Sequence, residues 1–450
     1  MKASGVEVLG EIPAHWEVRP IRQLGRIMKG VGGSKEDVVE EGVPCVRYGD
    51  LYTTHGEAIE APRTYLAPER AEAYTSIQYG DLLFAASGEK LEEIGKSAVN
   101  LIRGDARCGG DMIVLRPATP IVPKYLGYAA DAAPSVAQKT MMGRGTTVKH
   151  IYPDELRNLT IAIPPLSEQA LIADFLDTKT AAIDALIERQ ERLLALLAEK
   201  RQVVITEAVT KGLDLSVPMK DSGVDWIGRV PAHWDVQCIR RVARIESGHT
   251  PSRSVPEHWL ETNEIPWVSL NDSKWLAAHD YISETAYSIN ELGLQNSSAR
   301  LLPARAVVFT RDATIGKAAI TTREMAVSQH IIAWLCGPLM SPEYLLRVFY
   351  AMEPALERYT FGATLRTIGM DDVRTLVTPV PPPAEQEGIV AQVSSELGRI
   401  DELSHRATLM VDRFNEYRQA LITAAVTGKL DISAAPVAAR ASRQPEAAGA

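Results

Sequence analysis

One tetrapeptide occurs twice in this chain and constrains its fold more than any other feature. Residues 12–18 read IPAHWEV and residues 230–236 read VPAHWDV, at an offset of 218 positions. A later motif repeats at an offset of 217, as PPLSEQ at 164–169 and PPPAEQ at 381–386. Self-similarity at a nearly constant offset indicates one structural unit used more than once. The sequence therefore predicts two halves with the same architecture.

Each half contains a variable globular region followed by a long helix. The variable regions carry short β-like runs such as AVVFT and DMIVL, bounded by Gly, Pro and Asn or Asp, together with helical pieces such as PKYLGYAADAAPSVAQ. This mixture predicts the α+β class. The alanine-rich end of the chain, with Pro and Ser, is predicted to be disordered. The predicted divisions are 1–163 (globular), 164–213 (long helix), 214–380 (globular), 381–432 (long helix) and 433–450 (tail).

The long helices are predicted from an uninterrupted run and a seven-residue repeat. No Pro or Gly occurs between Pro165 and Gly212, and a helix of about 43 residues would be roughly 65 Å long. Apolar residues recur every seventh position in two columns, which is typical of a coiled-coil seam. The second globular region is long enough to return the chain, so we expect the helices to be antiparallel partners. The predicted seam residues are Leu176, Ile183, Leu186, Leu193, Leu197, Val204, Val393, Ile400, Leu403, Met410, Phe414 and Leu421.

Composition limits the class of protein. The 450 residues are 46% hydrophobic and 23% charged, which is globular, and the formal net charge is −9. A DNA-coating protein is usually basic, so DNA binding would need local basic patches or charge shared with a partner. No run of about 18 apolar residues and no signal peptide is present. The four cysteines are scattered without CxxC spacing, which argues against zinc and disulfides and fits a reducing cytoplasm.

Several basic loops are candidates for contact with DNA. RIESGHTPSR at 244–253 and FTRDATIGKA at 309–318 combine Arg or Lys with Gly and hydroxyl residues, as phosphate and base-edge contacts require. A solvated loop is the alternative for each one alone. For His15 and Trp16 we expect a structural role, with Trp packed and His hydrogen-bonded. The predicted DNA-contacting residues are Lys90, Lys96, Arg144, Lys149, Arg253, Arg311, Lys317 and Arg366.

No catalytic motif is found in the sequence. The chain has no GxxxxGK[ST] loop for ATP, no HExxH and no GxSxG. It also lacks the Asp/Asn-Pro-Pro-Tyr/Phe element with which an amino-methyltransferase holds a flipped adenine. These absences favour a binding protein over an enzyme, and no catalytic or metal-binding residue is predicted.

The repeated frame resembles a known family. Two globular regions separated by matched long helices, each entered through PP-x-x-EQ, with PAHW before them and AVTKGLD or AVTGKLD after them, are similar to the specificity (S) subunit of type I restriction-modification systems. The resemblance covers about residues 1–432. It implies that each globular region is a target recognition domain reading one half of a bipartite DNA site. It also implies that the helices fix the gap between the half-sites.

The resemblance implies partners and cofactors as well. Two methyltransferase (M) subunits would bind the helices, and restriction (R) subunits would join in some systems. This chain would bind no cofactor, because the M subunits use S-adenosylmethionine and the R subunits use ATP and magnesium. Two alternatives remain at this stage. One is a coiled-coil protein-interaction scaffold that does not bind DNA, and the other is a fused restriction-modification enzyme, which would need catalytic motifs in this chain.

Overall fold

The computed structural model describes residues 1–33, 36–145, 148–260, 265–361 and 366–432, and the predicted disordered tail 433–450 lies outside the described residues. Two long helices are present, at Leu166–Lys211 and Pro383–Val426, so both predicted long helices are confirmed. The chain divides into two compact units. Unit 1 comprises residues 1–190 and 409–450, and unit 2 comprises residues 191–408. Each unit therefore holds one globular region, the start of one long helix and the end of the other.

Each unit contains a five-stranded main sheet of the same topology. The strands of these sheets are β1 Gly25–Lys29, β2 Ala58–Ile59, β3 Leu82–Ala85, β4 Ser97–Asn100, β5 Met112–Pro117, β6 Ala243–Ser247, β7 Tyr281–Ile282, β8 Val307–Thr310, β9 Ala318–Thr321 and β10 Ile331–Cys336. In unit 1 the strand order is β1-β5-β3-β4-β2, and in unit 2 it is β6-β10-β8-β9-β7. The pairs β2·β4 and β7·β9 are parallel, and the others are antiparallel.

The register of each main sheet brings distant loops to one edge. In unit 1, β1 and β3 end where β4 and β5 begin, since Lys29 pairs with Ile113 and Phe84 pairs with Ser97. In unit 2, β6 and β8 end where β9 and β10 begin, since Ser247 pairs with Ile332 and Phe309 with Ala318. We call this end of each sheet, where these strands end or begin and their loops lie side by side, the loop edge. The loops that follow β1 and β3, or β6 and β8, therefore lie beside the loops that precede β5 and β10.

Smaller elements complete each unit, and the helical piece predicted at 123–138 is confirmed. In unit 1 they are the strands Lys2–Ala3, Glu11–Ile12, Glu17–Pro20, Val38–Val39, Val43–Val46, Thr64–Leu66, Thr75–Ile77, Ser87–Gly88, Ala106–Cys108, Lys149–His150 and Thr160–Ile163, and the helices Ile21–Gln23, Tyr48–Thr53, Pro68–Ala71, Leu91–Glu93, Pro123–Asp131, Ala133–Met142 and Pro153–Leu156. In unit 2 they are the strands Met219–Asp221, Arg229–Pro231, Asp235–Cys238, Trp259–Leu260, Ile265–Val268, Ser288–Ile289, Ala326–Val327, Thr360–Phe361, Thr367–Ile368 and Val377–Val380, and the helices Ile239–Arg241, Pro256–His258, Leu270–Asp272, Ser273–Ala278, Glu291–Gln295, Pro342–Met352, Glu353–Tyr359 and Met370–Thr375.

Within each unit the two long helices run antiparallel. In unit 1, Asp184 accepts a hydrogen bond of 2.9 Å from Arg418 Nε, and Leu176 and Val426 lie in one hydrophobic cluster. In unit 2, Arg201 pairs with Asp401 at 2.5 Å. These two ion pairs are equivalent, because both partners are related by the offset of 217. Arg418 also forms a two-pronged, largely buried ion pair with Glu57 at 2.7 and 2.9 Å, which ties the second helix to the globular part of unit 1.

The two predicted seam columns behave differently. The column containing Leu176, Ile183, Leu197, Val393 and Ile400 is buried, and its later members Val204, Phe414 and Leu421 are half-buried. Four predicted seam residues of the other column face solvent, so their assignment to an intramolecular seam is wrong. In a two-stranded coiled coil both seam columns are buried between the helices, so the exposure of one column shows that these helix segments do not form such a seam. The four residues and their exposed fractions are Leu186 39%, Leu193 40%, Leu403 47% and Met410 40%.

Among the described residues, no helix combines the length and apolar character that crossing a bilayer requires.

Candidate nucleic-acid interface

The repeated motifs meet at one junction in each unit. In unit 1, Glu168 accepts a 2.8 Å hydrogen bond from Trp16 Nε1, and His15 Nε2 lies 2.8 Å from the other carboxylate oxygen. In unit 2, Glu385 makes the same contacts with Trp234 and His233, at 2.9 and 2.8 Å. The predicted structural role of His15 and Trp16 is confirmed. The PAHW segment thus fixes the first turn of the long helix that leaves its own globular region.

The same tryptophans also receive the end of the other long helix. Gly212 follows the first long helix at φ +74°, and a Cβ atom there would lie 3.0 Å from the Trp234 ring. Gly428 follows the second long helix at φ +67°, and a Cβ atom there would lie 2.4 Å from Pro13 and 3.1 Å from the Trp16 ring. Glycine suits both positions because it adopts positive φ freely and allows this close approach. Each PAHW segment therefore holds one helix start and one helix end.

The glutamine of each PP-x-x-EQ motif fixes a second segment. Gln169 donates to the Pro164 carbonyl at 2.8 Å and accepts from the Val122 N–H at 2.9 Å. Gln386 donates to the Pro381 carbonyl at 2.9 Å and accepts from the Ser341 N–H at 2.9 Å. Both glutamines are buried. The residues shared by the two halves therefore build the frame that holds each main sheet and its loop edge in place.

The loop edge of unit 2 carries a polar network. The buried carboxylate of Asp312 accepts a hydrogen bond from the Thr367 hydroxyl, and its Oδ2 lies 2.6 Å from His330 Nδ1 and 3.5 Å from Arg311 Nε. The backbone joins the same segments, since Ile368 N donates to the Arg311 carbonyl at 2.9 Å. This network holds Arg311 and His330 side by side at the surface.

Backbone geometry at this edge is also unusual. Ala313 has φ +60°, a conformation that non-glycine residues rarely adopt. Its N–H donates to the carbonyl of Arg366 at 2.8 Å, which helps to hold the turn. Arg366 itself is exposed and lies 3.5 Å from Glu357. Predicted residues from two distant segments, Arg311 and Arg366, are thus brought together at the loop edge.

The loop edge of unit 1 has the same layout with different side chains. The strand Lys149–His150 pairs with Ser87–Gly88, and Ser87 Oγ lies 3.0 Å from His150 Nδ1. His150 and Thr367 correspond at the offset of 217, as do Lys149 and Arg366. Lys149 Nζ donates to the Gly145 carbonyl at 2.8 Å. The two edges therefore place a cation at matched positions beside different polar groups.

The remaining first-half candidates carry their own ion pairs at the surface. Lys90 lies 3.0 Å from Glu93, and Arg144 lies 2.9 Å from Glu155, with 69% and 71% of the two basic side chains exposed. Arg144 also pairs with His150 through the backbone. Exposed pairs of this kind are weak and exchange readily for another anion. Both residues remain available at the loop edge of unit 1.

Two further candidates pair with acidic residues of their own unit. Lys96 pairs with the buried carboxylate of Asp131, and Lys317 pairs with Glu353. Asp131 also binds the fully buried Lys139 at 3.2 Å. Burial lowers the pKa of Lys139, whereas Asp131 opposes that shift; burial works to raise the pKa of Asp131, but the two ammonium groups lower it. The structure therefore favours a packing role for Lys96 over DNA contact, whereas the pair between Lys317 and Glu353 is partly exposed.

Sequence reasoning missed several loop-edge residues. Thr250 Oγ1 donates to Gln329 at 2.5 Å, and Gln329 Nε2 lies 3.2 Å from His330 Nε2. Asp312, which orients His330, was likewise not singled out. Neither Gln329 nor His330 lies in a basic or glycine-rich motif, so only the pairing of β8 with β10 reveals their position. Within the described part of the chain, no group of three His, Cys, Asp or Glu residues is placed to hold a metal ion.

Comparison with known proteins places the chain in a family. The family described as type I restriction modification DNA specificity domain matches residues 13–195 and 231–406. Both matches begin at the proline of PAHW and end inside a long helix. Because they cover most of the chain, it belongs to this family of DNA specificity proteins.

Individual relatives agree with this assignment. The EcoKI specificity subunit of Escherichia coli (strain K12) is 22% identical over 446 residues, which are 94% of this chain and 90% of that protein. The StySPI specificity subunit of Salmonella potsdam is 24% identical over 221 residues, so the chain spans about half the length of that relative, 47%. A chain from a structure on complex assembly and conformational transition of the type I R-M system has a TM-score of 0.66 and 19% identity. The matched region covers 93% of this chain and 100% of that chain. This likeness supports the fold.

Proposed function

We propose that each unit reads one half of a bipartite double-stranded DNA site through its loop edge. The recognition domains comprise residues 1–163 and 214–380. The supporting observation is the contrast between frame and edge. The junctions at Glu168 and Glu385 have the same geometry in both units, whereas the loop edges share a layout and differ in side chains. A conserved frame with divergent edges is what two different half-sites require.

The positive charge that DNA binding requires lies in local patches at the loop edges. On a chain of net charge −9, the unit 2 loop edge presents Arg253, Arg311 and Arg366, and the unit 1 loop edge presents Lys90, Arg144 and Lys149. Such residues neutralise backbone phosphates and make binding depend on salt. Phosphate contacts fix the register, and base-edge contacts then supply sequence discrimination.

We also propose that the exposed column of the long helices binds two methyltransferase subunits. Leu186 and Leu403 correspond at the offset of 217, as do Leu193 and Met410. Each pair offers an apolar side chain at an equivalent position once in each unit, so one kind of partner can bind twice. Exposed leucines in a helical stripe are typical of a surface that another helix covers.

In this proposal the chain is not catalytic. The methyltransferase subunits supply S-adenosylmethionine and flip the target adenine. A restriction subunit, where present, supplies ATP-dependent activity with magnesium. The role of this chain is to place the partners at a defined DNA sequence.

The decisive experiment is single-molecule mapping of N6-methyladenine in host DNA with and without the gene for this chain. We expect a bipartite motif whose methylation disappears on deletion. The map also gives both half-sites and the gap between them. An unchanged map in a host that expresses the complete complex would contradict the DNA-reading role and favour the protein-interaction scaffold.

A further inference from the structure

An aromatic cluster lies beside the loop edge of unit 2. Trp259 meets Trp267 edge-to-face at 5.1 Å between ring centroids, and it meets Tyr287 in the same way at 6.4 Å. Trp267 is buried, whereas Tyr287 is 46% exposed. We call these three residues the aromatic clamp. The two tryptophans lie in a four-stranded sheet with the strand order Trp259–Leu260, Ser288–Ile289, Ile265–Val268 and Ala326–Val327, and Tyr287 directly precedes one of these strands. The clamp is next to the loop that follows β6.

The clamp fixes the backbone of that loop, residues 248–254. Trp267 Nε1 donates to the His249 carbonyl and Trp259 Nε1 to the Ser252 carbonyl, both at 3.1 Å. At the start of the loop, Gly248 packs so closely that a Cβ atom would lie 1.6 Å from the Val327 carbonyl oxygen. The loop is therefore held along its length, and no part of this support depends on a bound partner.

Arg253 is the charged residue that this arrangement presents. Its guanidinium carbon lies 5.7 Å from the ring centroid of Trp259 and 5.7 Å from that of Tyr287. The side chain is exposed. Across the residues that the structure describes, no carboxylate is within ion-pair distance of it. Two cation–π contacts restrict the side chain, while its donor groups are left for another molecule.

The corresponding loop of unit 1 is built differently. After β1 it contains Gly30, Gly32 and Gly33, and the Tyr74 ring lies directly under Gly32, 2.6 Å from where a Cβ atom would be. Its described residues carry no arginine held between aromatic rings. The clamped arginine is thus a property of unit 2 and belongs to the part that differs between the two halves.

We propose that Arg253 is a base-reading residue of unit 2 and recognises a guanine in its half-site. This inference rests on the proposed function. A guanidinium presents two parallel N–H donors that match O6 and N7 of guanine in the major groove, and this pairing requires a fixed orientation. The aromatic clamp supplies that orientation before DNA binds, which reduces the conformational entropy lost on binding. A residue that only neutralises phosphate charge does not need such restraint.

The test uses the complete complex with its methyltransferase subunits, assembled with wild-type chain, Arg253→Ala, Arg253→Lys or Tyr287→Leu. Affinity is measured for the natural site and for duplexes carrying each single base-pair change. We expect Arg253→Ala to weaken the natural site roughly 5- to 100-fold and to abolish discrimination at one G·C position. Arg253→Lys should lose the same discrimination, because an ammonium lacks the two-pronged geometry. Tyr287→Leu should give a smaller loss at that same position.

Arg323→Ala is the matched control, because Arg323 is an exposed arginine in the turn after β9, away from the loop edge. It should leave binding and discrimination unchanged. If Arg253→Ala weakens every duplex equally, unrelated DNA included, Arg253 contacts a phosphate and the guanine assignment is wrong. Unchanged discrimination at every position would also overturn it. If the wild-type complex itself fails to distinguish sequences, the proposed function is at fault and the inference falls with it.

Discussion

At the scale of single residues, one carboxylate in each unit joins the PAHW segment to the start of a long helix. Glu385 accepts from the buried Trp234 indole and contacts His233 at the first turn of the second long helix. Glu385→Ala should lower the stability of unit 2 by about 1–3 kcal/mol, because the indole N–H loses its acceptor inside the protein. Urea denaturation measures the change. Glu387→Ala, an exposed position in the same helix turn, should change stability by less than about 0.5 kcal/mol; equal effects of both variants would refute the assigned role.

A second residue-scale prediction concerns the buried Lys139. Its ammonium contacts the Gly95 and Ala130 carbonyls and Asp131. Asp131→Asn should destabilise unit 1 by about 3–5 kcal/mol at neutral pH, because a buried cation loses its counter-ion. The loss of stability caused by Asp131→Asn should shrink as the pH rises, because Lys139 then deprotonates and no longer needs a counter-ion. Burial favours this deprotonation because it lowers the pKa of Lys139. Thermal unfolding against pH is the measurement. Asp154→Asn, at an almost fully exposed ion pair with Arg157, serves as the control and should show neither effect.

At the scale of elements, the long helices have one covered column and one exposed column. Leu403→Glu places a charge in the exposed column of unit 2, so the chain should fold normally but bind one methyltransferase subunit instead of two. Leu197→Ala removes a buried contact, so it should reduce stability by about 2–5 kcal/mol. Co-purification and thermal unfolding separate the two outcomes. Leu215→Glu, an exposed leucine outside the long helices, should affect neither. If Leu403→Glu still binds two methyltransferase subunits, this column is excluded from the interface.

At the scale of the whole molecule, the two halves should act on separate parts of the DNA site. Lys149 in unit 1 and Arg366 in unit 2 are equivalent positions on the two loop edges. Lys149→Ala and Arg366→Ala should each weaken binding, and each should change protection of only one half-site in footprinting. If the residue contacts a phosphate, its removal should also reduce the salt dependence of binding, by a slope of about 1. If both variants affected the same half-site, the assignment of one half-site to each unit would be wrong.

The sequence alone determined the features that depend on local spacing. The offset of 217 to 218, the double prolines and the heptad repeat predicted two matched long helices, and these are present at Leu166–Lys211 and Pro383–Val426. The family resemblance also followed from these motifs. Hydrophobic periodicity and proline act within a few residues along the chain, so a linear pattern carries their consequences.

Only the tertiary structure decided which residues meet across long sequence separations. The sequence shows Glu168 only as part of a repeated motif, and the fold gives it two partners more than 150 positions away. The sequence predicted Lys96 and Lys317 to be DNA-contacting loop residues, yet both form ion pairs with acidic residues of their own unit. His330 and Gln329 reach the loop edge through strand register, and Arg253 meets its aromatic clamp from a separate sheet. A heptad column does not say which side another element covers, so burial of Leu197 and exposure of Leu403 came from packing alone.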